Sequence, residues 1–313
     1  MFLVGTPGSG TSTGLASMAL TLCLNTPPDQ FDMLVLDLGP GSLAPLKNLP
    51  HVSAYVGPGE GAKERQTRFL RHLMVELERR RSNPANARKL IILIDGYGTL
   101  RDEFMEYTGT DYLGAFHRLY SEGHALGMHF MMATSRLKGI PAVVSDVTQQ
   151  RWLFHLSDSY DYTTYRIRGT DIPAAVPGRC VDSDTIRQIQ VAIPQMSLDD
   201  AVQQVVQRWG TVDKPDVIGQ LPSLVHRSQL GVEPVIGGEN WIIPVGIAEH
   251  NLKPIAFELY EGESALIGGS PRSGKSTLLQ AIADSVMKQR DRGETNAQVW
   301  VMCSRRSPLA HRD

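Results

Sequence analysis

Gly269-Ser270-Pro271-Arg272-Ser273-Gly274-Lys275-Ser276-Thr277 is the stretch that decides the fold. Ahead of it, Ala265-Leu266-Ile267 is apolar and predicts the tip of a strand. Behind it, Leu278, Leu279, Ile282, Ala283 and Val286 recur at helical spacing. Strand, G-x-x-x-x-G-K-S, helix is the local grammar of a phosphate-binding loop. Each residue type has a physical task. Glycines let successive backbone N–H groups turn inward around phosphate oxygens. The helix adds the positive end of its dipole. Lys275 is placed to reach the β- and γ-phosphates, and the Ser276 hydroxyl to hold Mg²⁺. ATP and Mg²⁺ are therefore the expected ligands of Gly269 through Thr277.

The same grammar opens the chain. Phe2-Leu3-Val4 predicts a short strand, Gly5-Thr6-Pro7-Gly8-Ser9-Gly10-Thr11-Ser12-Thr13 a loop, and Leu15, Met18 and Leu22 a helix. An offset of 264 positions sets Gly10 on Gly274, Gly5 on Gly269, Pro7 on Pro271, Ser9 on Ser273, Ser12 on Ser276 and Leu15 on Leu279. With a two-residue insertion, Met33-Leu34-Val35-Leu36 then falls on Val299-Trp300-Val301-Met302. This is an internal repeat of domain size. The change that matters is Thr11 in place of Lys275, which removes the main cation for the β- and γ-phosphates. Two readings follow for this degenerate site of Gly5, Gly10, Thr11, Ser12, Asp95 and Thr134. Its backbone cradle holds a nucleotide weakly, or it is a structural remnant.

Between the loops, Lys89-Leu90-Ile91-Ile92-Leu93-Ile94-Asp95 is an apolar run ending in an acid, the pattern of a buried parallel strand. In a phosphate-loop NTPase that acid, here Asp95, holds the metal's hydration shell. Additional-strand ATPases follow it with a glutamate that orients the attacking water; here Gly96 follows. The first module has thus lost both its lysine and its catalytic acid, and Glu103 is too far along to replace the latter. A helix from Asp111 to Leu126 is predicted to present Leu113, Phe116, Leu119 and Tyr120 on one face, with Gly127 at its C-cap. Met128 to Thr134 predicts another buried strand, with His129 a core histidine and Ser135 and Arg136 beyond its end. Trp152 to Leu156 predicts a fifth strand, Gly178–Ser183 and Ile186–Ile193 a hairpin, and Ser197–Trp209 a helix capped by Ser197.

Pro215, Gly219, Pro222, Pro234, Gly237 and Gly238 punctuate residues 211–239 without helical periodicity, which predicts an inter-domain linker. The expected organisation is a degenerate ATPase module over 1–210, the linker over 211–239, and the first part of a second module over 240–313. Strands resume from Trp241 to Tyr260. The first module's spacing from Thr11 to Asp95 places the second metal acid near position 361, beyond Asp313, so the second module is expected to be truncated and the chain a piece of a longer protein. The fold class expected is α/β: tandem P-loop NTPase modules of the RecA type, with mostly parallel sheets flanked by helices.

Composition limits the alternatives. Lys+Arg 31 against Asp+Glu 33 give a net charge of -2, so the chain carries no electrostatic footprint for nucleic acid or an anionic membrane. No apolar run approaches the ~20 residues of a membrane helix. Cys23, Cys180 and Cys303 are odd in number and far apart, without zinc spacing or a disulfide framework. Met1 to Leu24 is apolar, but it lacks a basic start and is broken by glycines, unlike a secretion signal.

Together these residues resemble the FtsK/SpoIIIE group of motor ATPases, and within it the EccC ATPases of type VII secretion systems. Gly127, His129, Ala133, Thr134 and Arg136 are similar to the group's fourth core strand. The Pro177-Gly178-Arg179 turn, the long linker and Ile243-Pro244-Val245-Gly246 before the next loop look like the tandem EccC arrangement. The resemblance implies a multi-module, membrane-anchored motor at the inner face of the cell membrane. Its partners would be other modules or subunits, as in a hexameric ring, and exported Esx-type helical proteins. ATP hydrolysis coupled to translocation is expected of such a parent and not of this piece alone. The resemblance also leaves open a DNA-translocase segment or a non-hydrolysing docking module. Neither a DNA-reading tail nor a basic surplus supports the former. Arg136, Arg179 and Arg272 are candidates for an arginine finger.

Overall fold

The computed structural model describes residues 1–83, 87–105, 111–212, 214, 217–249, 251–260 and 262–303. The chain forms two compact units, Met1–Gly219 and Gln220–Asp313.

The strands of the first unit are β1 (Phe2–Val4), β2 (Phe31–Asp37), β3 (Val52–Val56), β4 (Lys89–Asp95), β5 (Met128–Thr134), β6 (Arg151–Leu153), β7 (Arg179–Asp182) and β8 (Gln188–Gln190). Its helices are α1 (Thr11–Asn25), α2 (Ala62–Ser82), α3 (Tyr97–Met105), α4 (Tyr112–Glu122), α5 (Ala142–Ser145), α6 (Tyr160–Thr163) and α7 (Leu198–Trp209). They form one sheet in the order β3-β2-β4-β5-β1-β6-β7-β8. Strands β3 through β6 run parallel, and β7 and β8 close the far edge antiparallel as the expected hairpin. Strand β5 lies between the loop strand β1 and the acid strand β4, which is the additional-strand arrangement.

The apolar runs follow from burial on both faces. Leu34, Leu36, Leu90, Ile92 and Ile94 enter one core with Phe69, Leu73 and Leu77 of α2 and Phe116 and Leu119 of α4. The alternate residues Met33, Val35 and Leu93 enter the other, with Leu15, Ala19 and Cys23 of α1 and Val202 and Val205 of α7. Ser197 caps α7 as expected, accepting the Asp200 N–H at 3.1 Å. The Trp209 indole N–H donates to the Cys23 carbonyl at 2.7 Å and ties α7 to α1. Gly127 takes the left-handed conformation that ends the helical segment before β5 (φ 74). Cys23 and Cys180 are buried thiols, each pushed up to about 12 by burial.

Arg80 is a buried cation that earns its place. It is 3% exposed, and its guanidinium donates to Glu76 at 2.7 Å, to the Leu126 carbonyl at 2.9 Å and to the Arg88 carbonyl at 2.7 Å. It thereby fixes the approaches to β4 and β5 to the end of α2. We expect Arg80→Ala to lower unfolding free energy by about 3 kcal/mol or more in a urea titration, because three acceptors lose a charged donor.

The second unit comprises β9 (Asn240–Ile247) and β10 (Pro254–Tyr260), paired antiparallel, and α8 (Lys275–Asp291). Ile236, Ile243 and Val286 form its core, with Trp241, Val245, Phe257 and Ile282 packed around them. The stretch expected as a linker is structured on both sides of Gly219. Lys214 pairs with Asp32 at 2.7 Å and Ile218 is buried in the first unit, while Leu230 and Ile236 are buried in the second. Pro215 lies outside the described residues.

Two expected strands are absent from the second unit. Ala265–Ile267 and Val299–Met302 have no strand conformation, and Leu266, Trp300 and Met302 are fully or almost fully exposed. The physical reason is pairing. In the first unit β1 is flanked by β5 and β6, which come much later in the chain, and β2 is flanked by β3 and β4. Among the described residues of the second unit no strand takes those places, so no parallel sheet forms. Amide exchange at 265–267 and 299–302 should accordingly be faster than at Lys89–Asp95 by several powers of ten.

Candidate functional site

Both phosphate loops adopt the same local backbone. Gly10 is left-handed at the start of α1 (φ 101, ψ 14) and Gly274 at the start of α8 (φ 88, ψ 6). Gly8 and Arg272, one offset apart, are both left-handed, with φ 81 and φ 64. Ser9 and Ser273 each fold back onto the loop's first glycine, so closely that a Cβ on Gly5 or Gly269 would strike the serine hydroxyl. Glycine at 10 and 274 suits the left-handed turn into each helix, and glycine at 5 and 269 leaves room for the folded-back serine.

In the second unit Lys275 lies over this cradle. Its Nζ donates to the Gly269 carbonyl at 2.9 Å and the Ser270 carbonyl at 2.6 Å, and stands 3.4 Å from the Ser273 hydroxyl. The Ser273 N–H donates to Ser270 at 3.3 Å, closing the turn through Pro271 and Arg272. Ser276 and Thr277 follow Lys275 in the first turn of α8, where the backbone N–H groups have no helical acceptor. A triphosphate fits this donor set: a flexible ammonium, free helix N–H groups and a hydroxyl at Ser276 for a divalent cation.

In the first unit the loop is pinned from the end of β5 and from the segment just after β6. The Gly5 N–H donates to the Thr134 carbonyl at 3.1 Å, and the Thr6 N–H to the His155 carbonyl at 2.9 Å. The turn that leads into β7 braces its tip, with the Gly178 N–H donating to the Ser9 carbonyl at 2.8 Å. A side chain on Gly10 would meet the Gly178 backbone at 2.7 Å. Thr11 supplies no cation. Thr134 is buried at the end of β5. Arg136 is exposed beyond it, and Arg179 is engaged with Gln190 at 3.0 Å. His129 stands half-buried near the other end of β5, its ring edge-on to His124.

Asp95 lies where the sequence places it, at the loop end of β4, and is 6% exposed. Burial holds its carboxyl above the usual carboxylate range. A hydrogen bond with the Ser12 hydroxyl opposes that shift and the charge of Asp37 adds to it. Its Oδ2 is buried with no hydrogen-bond partner. Ser12 and an orphaned carboxylate oxygen are the donors a hydrated Mg²⁺ would take, so this half of the site fits the metal while position 11 does not fit the phosphates. The raised pKa has a definite sign. The carboxyl's favourable contribution to folding is complete in acid and lost as pH rises through its folded-state pKa. We expect Asp95→Asn to raise the melting temperature near neutral pH, with the gain shrinking as the pH is lowered.

Asp37 escaped the sequence reading. Strand β2 places it in register with Asp95. It accepts from the Gly39 N–H at 3.1 Å, the Leu43 N–H at 2.9 Å and the Tyr55 hydroxyl at 3.3 Å. With its oxygens so engaged, Asp37 shapes the loop after β2 and is not a free base. Its signal was present: Phe31-Asp32-Met33-Leu34-Val35-Leu36-Asp37 is an apolar run ending in aspartate, like the one that ends at Asp95. Gly96 also has a structural account. It is left-handed (φ 91), its N–H donates to Ala133 at 3.1 Å, and a Cβ there would press on Leu38 at 3.2 Å.

The order of strands, the additional strand and the phosphate loops define a P-loop NTPase fold. The FtsK/SpoIIIE family model matches residues 1–90. The chain is 27% identical to the ESX-1 secretion system protein EccCb1 of Mycobacterium tuberculosis, over 90% of this chain and 52% of that protein. It is 22% identical to the ESX secretion system protein EccC of Geobacillus thermodenitrificans, over 92% of this chain and 21% of that one. It thus spans about half of the first relative's length and about a fifth of the second's. Among solved structures, ATPases 2 and 3 of Geobacillus thermodenitrificans EssC superpose with a TM-score of 0.71 at 21% identity, covering 99% of this chain and 66% of that one. ATPases 2 and 3 of Thermomonospora curvata EccC, in complex with a signal sequence peptide, superpose with a TM-score of 0.68 at 20% identity, over 91% and 55%. These structural likenesses show the fold. The resemblance to FtsK/SpoIIIE-type ATPases, and among them to EccC, stands, and the relatives are ATPase segments of type VII secretion systems. Among the described residues no helix is long and apolar enough to cross a membrane.

Proposed function

We propose that this chain is the ATP-binding segment of a multi-module motor that drives export of small helical Esx-type proteins through a type VII secretion system. The observation that carries the reading is Lys275 poised over the Gly269–Ser270 carbonyls at the mouth of an intact cradle. In this reading Lys275 leaves those carbonyls for the β- and γ-phosphates, and the N–H groups at the start of α8 hold the remaining phosphate oxygens. Ser276 takes Mg²⁺, which screens phosphate charge. The first module keeps Asp95 and Ser12 but has neither lysine nor catalytic acid, so it does not hydrolyse. Its partners are further modules or subunits of the same motor in a ring, and an exported protein's signal segment, as the peptide bound to Thermomonospora curvata EccC suggests. The place of work is the cytoplasmic side of the cell membrane. The near-neutral charge gives no support to a DNA motor.

The test is a binding titration of the full chain with Mg²⁺ and ATP, followed by a phosphate-release assay. Saturable binding without phosphate release is expected. Absence of binding, or turnover by the chain carrying native Gly96, would overturn this assignment.

A further inference from the structure

Each of the two sheets has two edge strands, and three of these four edges are closed or short. Along the outer side of β3 the Val217 N–H donates to the Ser53 carbonyl at 3.2 Å. At the opposite edge of that sheet β8 is three residues long, and its Gln188 and Gln190 are exposed. Along the outer side of β9, Val235 exchanges both backbone bonds with Ile242, at 2.8 and 2.9 Å. Strand β10 differs. It runs for seven residues with one charge, Glu258, and among the described residues no strand lies along its outer side. Its Ile255 is 47% exposed and its Tyr260 50%. An unpaired edge of this length and composition is a template for another strand.

The phase of the backbone bonds fixes which groups are open. Ile242 points its amide and carbonyl at Val235, away from β10. Glu258 stands opposite Ile242. The two therefore form a non-hydrogen-bonded pair, and Glu258 turns its own N–H and C=O outward. Ala256, two residues back and opposite Pro244, turns outward in the same way. Tyr260 is already engaged by Glu263, which accepts from its N–H at 3.2 Å and donates to its carbonyl at 3.1 Å. Between the two open residues, Phe257 packs its ring against the small core of Ile236, Ile243 and Val286.

This pattern is its own complement. A second copy laid antiparallel, with Phe257 facing Phe257, sets Ala256 of each chain opposite Glu258 of the other and pairs every open amide and carbonyl of both residues. A shift of two residues either way is worse. Ala256 facing Ala256 puts Glu258 opposite Pro254, which has no N–H to give. Glu258 facing Glu258 sets like charges directly opposite each other. In the matched register the two Phe257 rings meet at a non-hydrogen-bonded pair, where side chains come closest, and Ile255 faces Leu259 on the same side of the sheet. A lone pair of strands is marginal in water, and three or more with an apolar face are needed for stability. Two copies supply four, in the order β9-β10-β10-β9, with the two small cores on one face.

We propose that β10 is a self-association edge, through which two copies of this chain pair antiparallel at Ala256–Glu258 about a two-fold axis. The contact is isologous, unlike the head-to-tail contacts of a ring. Its test contains no nucleotide, so it stands or falls apart from the function proposed above.

Sedimentation equilibrium of the full chain without nucleotide should show a dimer that grows with concentration through the micromolar range, as a small interface requires. Residue-resolved amide exchange at Ala256 and Glu258 should slow as the dimer fills, by about tenfold when about nine chains in ten are paired, and should not change at 265–267 or 299–302. Glu258→Pro removes an N–H that faces the open edge and no bond to β9, so the chain should stay folded while dimerisation weakens by about tenfold or more. A chain that stays monomeric up to about 1 mM would overturn the proposal. So would a dimer that forms without slowing exchange at Ala256 and Glu258, or one that Glu258→Pro leaves intact.

Discussion

Lys275→Ala is expected to reduce ATP affinity of the full chain by tenfold or more while leaving the fold in place. The charged contacts of one lysine with phosphate oxygens are each worth ~1.5–3 kcal/mol, and one power of ten costs about 1.4 kcal/mol. The substitution leaves no structural debt. The Lys275 ammonium donates only to loop carbonyls and the Ser273 hydroxyl at an exposed position, so removing it orphans no buried group. The backbone cradle, set by Gly269 and Gly274, survives. Calorimetric titration of both chains with Mg²⁺ and ATP measures the effect directly. Equal affinities would mean that the lysine does not meet the phosphates.

The second large effect concerns the first unit. Thr11→Lys is expected to raise nucleotide affinity at the first loop by about tenfold, for the same Coulombic reason, and to produce no turnover. The missing element is at Gly96, and the structure explains why it is not easily restored. A left-handed residue with Leu38 at 3.2 Å from any added Cβ disfavours every side chain there. A glutamate at Gly96 would cost about 1–2 kcal/mol in backbone strain before any catalytic gain. Asp37 cannot deputise, because two backbone N–H groups and the Tyr55 hydroxyl hold its carboxylate. Phosphate release by the Thr11→Lys chain, with Gly96 in place, would show that some other group orients the attacking water.

The parts of this molecule that were legible in the sequence are those with strict local requirements. Both phosphate loops could be read because Gly10 and Gly274 take a left-handed backbone that favours glycine, and a Cβ on Gly5 or Gly269 would crowd the loop's serine hydroxyl. Strands β2, β4 and β5 could be read because a parallel strand buried on both faces must be apolar throughout. The first-unit helices α4 and α7 carry clear apolar faces and caps. The failures were of another kind. Ala265–Ile267 and Val299–Met302 have the composition of core strands, yet a strand exists only where neighbours supply hydrogen bonds, and composition does not report neighbours. Asp37 was missed because its role comes from register with Asp95, a relation between segments far apart in sequence. The packing of Lys214 and Ile218 onto the first unit was hidden by the surrounding prolines and glycines, which mark turns without revealing where the chain between them rests.

Amide exchange of the full chain with and without Mg²⁺ and ATP tests the central claim most directly, because it locates the nucleotide. The account predicts slower exchange over residues 269–279, and little change over 5–13. Protection of 5–13 with none over 269–279 would place the nucleotide in the first loop and contradict it.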